Sequence, residues 1–287
     1  VSDERPLADT QGRFVTVVSN GRKVNDLEWQ SGRILLSNRR LVLATNEGKR
    51  QIALSKVRTV KNRKNANQAM AAVSGYFSLQ VDSDVLLVAP TDIEEFEESL
   101  YTALLDGQVV LVKHPAVEGG VVQDAKWGKG RINIESDHLG LAVASGSFVE
   151  VELEDVGSVS AREATVRGDE RRVLEIEHTD DDGTSVQTYV SGTARHIAIL
   201  ESLVRQGELQ NATDADLEQT EMEVLMALYS GVSPFEIPEF VGMEVEEVEA
   251  VFDRLVEEEI LREKRVRRDV RLKARGRNIA SDVISDQ

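Results

Sequence analysis

One stretch of this chain occurs twice, and the recurrence limits the fold more than composition does, because a duplicated segment has to form the same unit twice. Asp26, Trp29, Gly32, Arg33 and Ile34 are matched by Asp124, Trp127, Gly130, Arg131 and Ile132 at a single offset of 98. Beyond a hairpin the offset becomes 99, where Ile52, Leu54, Val57 and Val60 are matched by Val151, Leu153, Val156 and Val159. One inserted turn residue accounts for the step. The chain's two tryptophans, Trp29 and Trp127, occupy matching positions, which assigns both a packing role.

Inside each copy apolar residues alternate with polar ones, as in residues 39–43 and 148–153, which is the period of half-buried strands. Residues 46–48 and 144–146 supply the glycine that tight hairpins favour. A second hairpin follows in each copy, 76–81 with 85–89 and 173–178 with 186–190, the latter turning at Asp180 to Gly183. Ile93, Phe96, Leu100 and Leu104 then fall on one helical face, as do Ile197, Leu200 and Leu203 in the second copy. Each copy is therefore predicted to be several antiparallel strands followed by one helix.

From about Thr213 the alternation stops. Leu217, Met222, Leu225, Met226 and Leu228 announce a helix ending near Ser230, and residues 206–214 read as a linker before it. Ser233, Pro234 and Glu236 predict the cap and first turn of a short helix. Gly242 then turns the chain into a longer helix with Val245, Val248, Val251, Phe252 and Leu255 inward. Residues 260–266 and 270–272 read as a two-stranded wing, so the segment is predicted to be a winged helix. The expected fold class is α+β, with sheet-plus-helix domains over residues 10–106 and 107–209 and a winged-helix domain over 210–287.

Charge is segregated along the chain. Residues 1–80 hold 14 Lys or Arg against 6 acids, residues 81–261 hold 11 against 41, and residues 262–277 hold 9 against 2. The formal total of −17 suits a protein kept soluble in concentrated salt. A winged helix raises the expectation of DNA binding, yet the helix that would enter a groove carries Glu244, Glu246, Glu247, Glu249, Asp253, Glu257, Glu258 and Glu259 against Arg254. Phosphates would be repelled there, so a protein partner is expected and nucleic acid is not. Charge alone nominates two cationic surfaces for such a partner. One is the wing, with Arg262, Lys264, Arg265, Arg267, Arg268 and Arg271; the other is the first repeat, with Arg39 and Arg40 among Arg22, Lys23, Lys49, Arg50, Lys56, Arg58 and Lys61. Pairing of the wing with the acidic helix beside it is the structural alternative.

No residues assemble a catalytic or metal motif. The chain has no cysteine, and His114, His138, His178 and His196 stand at unrelated spacings that point to ordinary histidines. The run Asp180 to Gly183 lacks the alternating ligands of a calcium loop, and Gly119 with Gly120 is not followed by the Lys-Ser/Thr of a phosphate loop. Neither a cofactor nor an enzymatic activity is expected. The longest apolar runs fall far short of the roughly 20 residues that span a bilayer, which predicts a soluble, cytoplasmic protein.

Residues 32–41 followed by 52–57 resemble the pleckstrin-homology and GRAM-like superfold, in which a bent sheet is plugged by a C-terminal helix. The second copy departs from the first where Asn133, Ser136, Asp137 and His138 replace Leu35, Asn38, Arg39 and Arg40. Over nearly its whole length the chain also resembles the archaeal chemotaxis adaptor family CheF, most specifically at residues 32–43, 112–120, 178–189, 225–238 and 273–280. That resemblance implies an adaptor coupling the phosphorylated response regulator CheY to the switch proteins of the archaellum motor, with CheC and CheD proteins as further partners. It transfers no binding residue. Two other classes compete: a DNA-binding transcription regulator with tandem sensor domains, and a membrane-surface protein using the first repeat.

Overall fold

The computed structural model describes residues 4–63, 75–135, 138–180, 183–211, 217–258 and 260–261. It divides into two compact units, residues 1–213 and 214–287. The fold is α+β, with two curled antiparallel sheets and a few helices.

The first repeat comprises β1 (Pro6–Ser19), β2 (Arg22–Lys23), β3 (Gln30–Ser37), β4 (Arg40–Ala44), β5 (Lys49–Ala53), β6 (Val57–Arg63), β7 (Tyr76–Val81), β8 (Asp84–Pro90) and α1 (Ile93–Leu105). The second comprises β9 (Val109–Glu118), β10 (Val121–Val122), β11 (Gly128–Ile134), β12 (His138–Val143), β13 (Phe148–Glu152), β14 (Val156–Val166), β15 (Asp169–Thr179), β16 (Ser185–Ser191) and α2 (Ala194–Asn211). Their strand orders, β5-β4-β3-β1-β8-β7-β6 and β13-β12-β11-β9-β16-β15-β14, superpose strand for strand. The offset read from sequence is thus a duplicated topology. Both hairpins predicted in each copy are present, together with a 3-10 turn at Leu54–Lys56 and its counterpart at Leu153–Asp155.

Gly32 shows why the recurring segment keeps its glycine. A Cβ there would sit 2.1 Å from the Ala44 carbonyl oxygen and 3.2 Å from the Phe14 ring, so the bent β3 can approach its neighbours only without a side chain. Trp29 packs as predicted. Its ring meets Tyr76 edge-on with centroids 6.4 Å apart, beside Val15, Leu87 and Ala89, covering the face of the sheet that points away from the main core. The central strands β1 and β9 are not announced by sequence alternation. The first half of β1 carries Asp9, Gln11 and Arg13, and only Phe14 and Val15 within the strand are fully buried.

The two repeats share one core. A single apolar cluster runs from Phe14 and Ile34 through Phe96, Leu100 and Leu104 to Ile132, Leu174 and Leu200. α1 packs on β1, β3 and β8 of its own sheet and on β11 of the other, while α2 packs on β14 and β15 and on β6 of the first sheet. Each buried leucine in such a cluster contributes about 1.5–3 kcal/mol relative to exposure, so either repeat alone would leave much of its helix face wet. Polar contacts reinforce the joint. The Arg195 guanidinium donates to the carbonyls of Val57 and Leu54 at 2.8 and 2.9 Å, and the Ser202 hydroxyl to that of Val60 at 2.5 Å. The Leu54 carbonyl also accepts the Val57 N–H within the 3-10 turn, so Arg195 supplies its second donor.

Residues 206–211, read as linker, are instead the last turns of α2. Gly207 misleads in sequence because glycine lowers helix propensity. Here it is required by packing, since a Cβ would lie 2.1 Å from the Leu153 carbonyl oxygen. The Gln206 amide donates to Glu97 at 2.6 Å and to the Tyr101 hydroxyl at 3.1 Å, and burial pushes that hydroxyl's pKa up.

The second unit contains α3 (Gln219–Tyr229), α4 (Ile237–Val241) and α5 (Val245–Glu257) around Val224, Ala227, Ile237, Val248 and Leu255. α4 begins later than predicted. Residues 233–236 form a turn, with the Glu236 N–H donating to the Ser233 carbonyl at 2.8 Å, and Pro238 rather than Pro234 sits in the first helical turn. Val245, expected inward, is exposed because it opens α5 before the helix reaches the core. Ile260 and Leu261, expected to open a strand, instead close the end of α5 by donating to the Leu255 carbonyl at 2.8 and 3.0 Å. Glu221 is 1% exposed, and its carboxylate both caps the Glu218 N–H and pairs with Arg254 at 3.0 Å. Among the described residues no helix is long and apolar enough to cross a membrane.

Candidate partner-binding site

The ends of the two sheets away from α1 and α2 differ in chemistry at matched positions. In the first sheet, Thr16 follows Phe14 on the inner face of β1, and the β4–β5, β1–β2 and β7–β8 turns converge on it. Arg50 is the hub. Its guanidinium donates to the Thr16 hydroxyl at 2.9 Å and to Asp84 at 2.7 Å, while Asp84 also accepts the Asn20 backbone N–H at 2.8 Å. The Asn20 N–H, and after it Arg50, hold the Asp84 carboxyl below the usual carboxylate range. Three hairpins are thereby tied by one ionised network.

Around that hub stand the cations of the first repeat. Arg22 and Lys23 are exposed on β2, Lys49 is exposed at the start of β5, and Lys56 and Arg58 flank Asp82 at 3.2 and 3.8 Å. Phosphate or carboxylate groups of a partner would meet five cations at a rim braced from within by Asp84, and fixed donors lose less freedom on binding than loose ones.

The sequence-nominated Arg39 and Arg40 are not part of this rim. They lie at the β3–β4 turn, at the other end of β4. Arg40 is already engaged: its guanidinium holds Glu4 at 2.6 Å and Gln51 at 3.0 Å, and the Arg40 hydrogen bond, followed by that from Ser37, lowers the Glu4 pKa. Arg39 is exposed beside it. In the second repeat the position of Arg40 is taken by His138, which lies 3.3 Å from Glu150 and 3.4 Å from Glu135. Arg262, Lys264, Arg265, Arg267, Arg268 and Arg271 fall outside the described residues.

The second sheet carries a different group at its matching end. The ladders place His114 where β1 has Thr16, Thr188 where β8 has Leu86, His178 where β7 has Val81, and Val149 where β5 has Arg50. The Thr188 hydroxyl lies 2.7 Å from His114 Nδ1 and 2.9 Å from His178 Nε2, and the two rings stack with centroids 6.1 Å apart. A hydroxyl has one proton and two lone pairs, so it can serve both rings when both are neutral, donating to one and accepting an N–H from the other. Burial agrees, lowering the pKa of His114 and taking that of His178 to about 4. Sequence spacing could not join these histidines. The signal available was the period-2 placement of both on inner faces.

No group of His, Cys, Asp or Glu able to hold a metal ion occurs among the described residues. The inter-repeat groove between α1 and α2, about 390 Å³, is lined by Glu94, Glu97, Glu98, Glu135 and Glu154. It is opposite in sign to the first-sheet rim.

Comparison with known proteins follows the same division of the chain. Residues 6–210, which contain both sheets, match the family described as Archaeal Chemotaxis signal transduction system protein F, and residues 216–285 match a domain of unknown function, DUF8579. The Taxis protein CheF1 of Halobacterium salinarum (strain ATCC 29341 / DSM 671 / R1) is 48% identical over 286 residues, covering 99% of both chains. The Taxis protein CheF2 of the same organism is 23% identical over 239 residues, covering 80% of this chain and 83% of its own. A duplicated sheet unit with a shared core, followed by a small helical unit, and matched in this way from end to end, makes this chain a member of the archaeal CheF family of chemotaxis signal-transduction proteins.

Proposed function

We propose that this protein is a non-enzymatic taxis adaptor that receives the phosphorylated response regulator CheY and couples it to the switch proteins of the archaellum motor, with CheC and CheD proteins as further partners. It works in the cytoplasm. Each repeat is read as a pleckstrin-homology or GRAM-like domain, divided at residues 106 and 107, and the unit from residue 214 as a winged helix, the remainder of whose expected wing, residues 262–272, lies outside the described residues.

The observation that carries this reading is the cationic rim of the first sheet, in a protein whose next 181 residues are strongly acidic. An acidic regulator whose phosphorylation adds close to two negative charges gains most from a surface of several cations held in place. Arg22, Lys23 and Lys49 are the receiving residues on this account, with Arg50 and Asp84 fixing the loops that present them. The basic residues 262–271 are the second candidate surface.

A pull-down in concentrated salt tests the proposal, with phosphorylated and unphosphorylated CheY, the switch proteins and a duplex-DNA control. Capture that depends on phosphorylation supports it, and DNA capture without protein capture overturns it. Two variants then assign the surface: R22E/K23E/K49E and R267E/R268E. The one that weakens the complex about tenfold or more identifies the receiving surface, since two or three lost charge pairs of this kind exceed about 1.4 kcal/mol together.

A further inference from the structure

Two segments that are remote in sequence and free of acids meet where the repeats join. Residues 48–81 hold seven Lys or Arg and no acid, and residues 183–200, which lead into α2, hold Arg195 and no acid. The Arg195 guanidinium donates through Nε to the Val57 carbonyl at 2.8 Å and through Nη2 to the Leu54 carbonyl at 2.9 Å. Those two carbonyls bracket Lys56 and adjoin Arg58, whose side chains are both 61% exposed.

The anions at hand do not balance this group. Among the described residues Arg195 pairs with no carboxylate, and burial, followed by the Arg58 charge, lowers its pKa. Asp82 is shared by Lys56 at 3.2 Å and Arg58 at 3.8 Å. Glu201, the first acid along α2, is held by Arg172 and Arg205 at 2.8 and 3.1 Å. The first turn of α2 carries no acid, whereas that of α1 carries Glu94 and Glu95, so Arg195 stands against the helix dipole. The scaffold does not demand these charges, since Asp155 and Gly157 take the places of Lys56 and Arg58 in the second repeat. Partly buried like charges kept together in this way are completed by an anion.

Donors remain for one. A guanidinium carries more N–H groups than the two engaged, and with the Nε and Nη2 edge on the carbonyls, Nη1 occupies the remaining corner of a fixed plane. Donors held in place lose little freedom on binding.

We propose that Arg195, brought by the second repeat, completes with Lys56 and Arg58 an oxyanion site at the edge of the first-sheet rim, which takes a phosphoryl or carboxylate group of an acidic protein partner. The choice of partner rests on the reading of the rim given above; the anion site does not. A partner held there bridges both repeats.

Inorganic phosphate titrated into the isotope-labelled full-length chain at constant ionic strength tests the site by itself. NMR follows the Nε–H signals of Arg58 and Arg195, which R58Q and R195Q assign by their loss. In the wild type both signals are expected to move together and saturate. In R58Q the Arg195 signal should need about tenfold more phosphate, the effect of losing one charge-assisted bond. Without phosphate R58Q should melt no lower than wild type, because it relieves repulsion and breaks only an exposed ion pair. R195Q also loses bonds to two carbonyls, so R58Q is the deciding variant. Shifts that do not saturate, or equal saturation in R58Q, would reduce the effect to ionic screening and overturn the site. Capture of phosphorylated CheY about tenfold weaker by R58Q supports the partner. Wild-type capture by R58Q, with phosphate binding lost, would make this a site for a free anion and overturn that part of the proposal. Wild-type capture by R22E/K23E/K49E overturns the reading of the rim only, because the phosphate titration is independent of it.

Discussion

The open ends of the two sheets are built on the same strand positions and keep their polar atoms in different places. The first uses Thr16, Arg50 and Asp84, with Val81 and Leu86 apolar; the second uses His114, Thr188 and His178, with Val149 and Val186 apolar. In the first sheet the network is ionised, half exposed and surrounded by exposed cations, of which Lys56 and Arg58 flank Asp82. In the second it is neutral and buried, and the β2 counterpart β10 presents Val121 and Val122 in place of Arg22 and Lys23. A duplicated scaffold thus supports two ends of different chemistry while its core stays common, because substitutions beyond the last core layer do not alter strand order.

Exchanging residues between the two ends tests how independent they are. Val149→Arg puts the first-sheet hub into the second, where Val149 is 3% exposed and Val186 stands in place of Asp84. An unpaired buried charge should cost about 3–5 kcal/mol, seen as a large fall in the denaturant midpoint. A loss under about 1 kcal/mol would mean the second end is as wet as the first.

The histidine pair makes a prediction in pH. The folded pKa of His178 is about 4, below the ordinary 6.5, so the unfolded chain binds the proton more readily than the folded one. Its contribution is fully present above about pH 6.5 and is lost as pH falls towards 4, by about 3 kcal/mol at most. Urea melts between pH 4 and 7 should show this slope in the wild type, and His178→Val, the residue of the first sheet at that position, should flatten it. A slope unchanged in the variant would assign the linkage elsewhere.

Thr188→Val keeps the shape and removes the shared hydroxyl, leaving two ring nitrogens without their partner, at about 1–3 kcal/mol. Arg50→Val, the reverse exchange, should cost less than about 1 kcal/mol because the ion pair it breaks is partly solvated. Its expected effect is on partner capture, since the three turns presenting Arg22, Lys23 and Lys49 would no longer be tied. Wild-type capture by this variant would show that the rim acts without its brace.

Much of this was legible in the sequence. Strand alternation, the paired hairpins, the helical faces of residues 93–104 and 197–203 and the offset of 98 to 99 are local periodicities, and each marks an element the structure contains. α3 was legible only as a helix. Met222 and Met226, both exposed, belong to the same apolar run as Leu225 and Leu228, and period alone does not say which face of a short helix will find a core.

The sequence by itself determined the repeat, the element types and the segregation of charge, since all three follow from neighbours within a few residues or from counting. Tertiary structure decided that the repeats share one core through α1 and α2, that residues 206–211 are helix, and that Arg40 is taken by Glu4 while Arg50 is turned to a hub. It also brought together His114 and His178 across 64 residues of chain. Those outcomes depend on which strands pair and which helix crosses to which sheet, and they are fixed by the summed burial of residues far apart in sequence rather than by any local propensity.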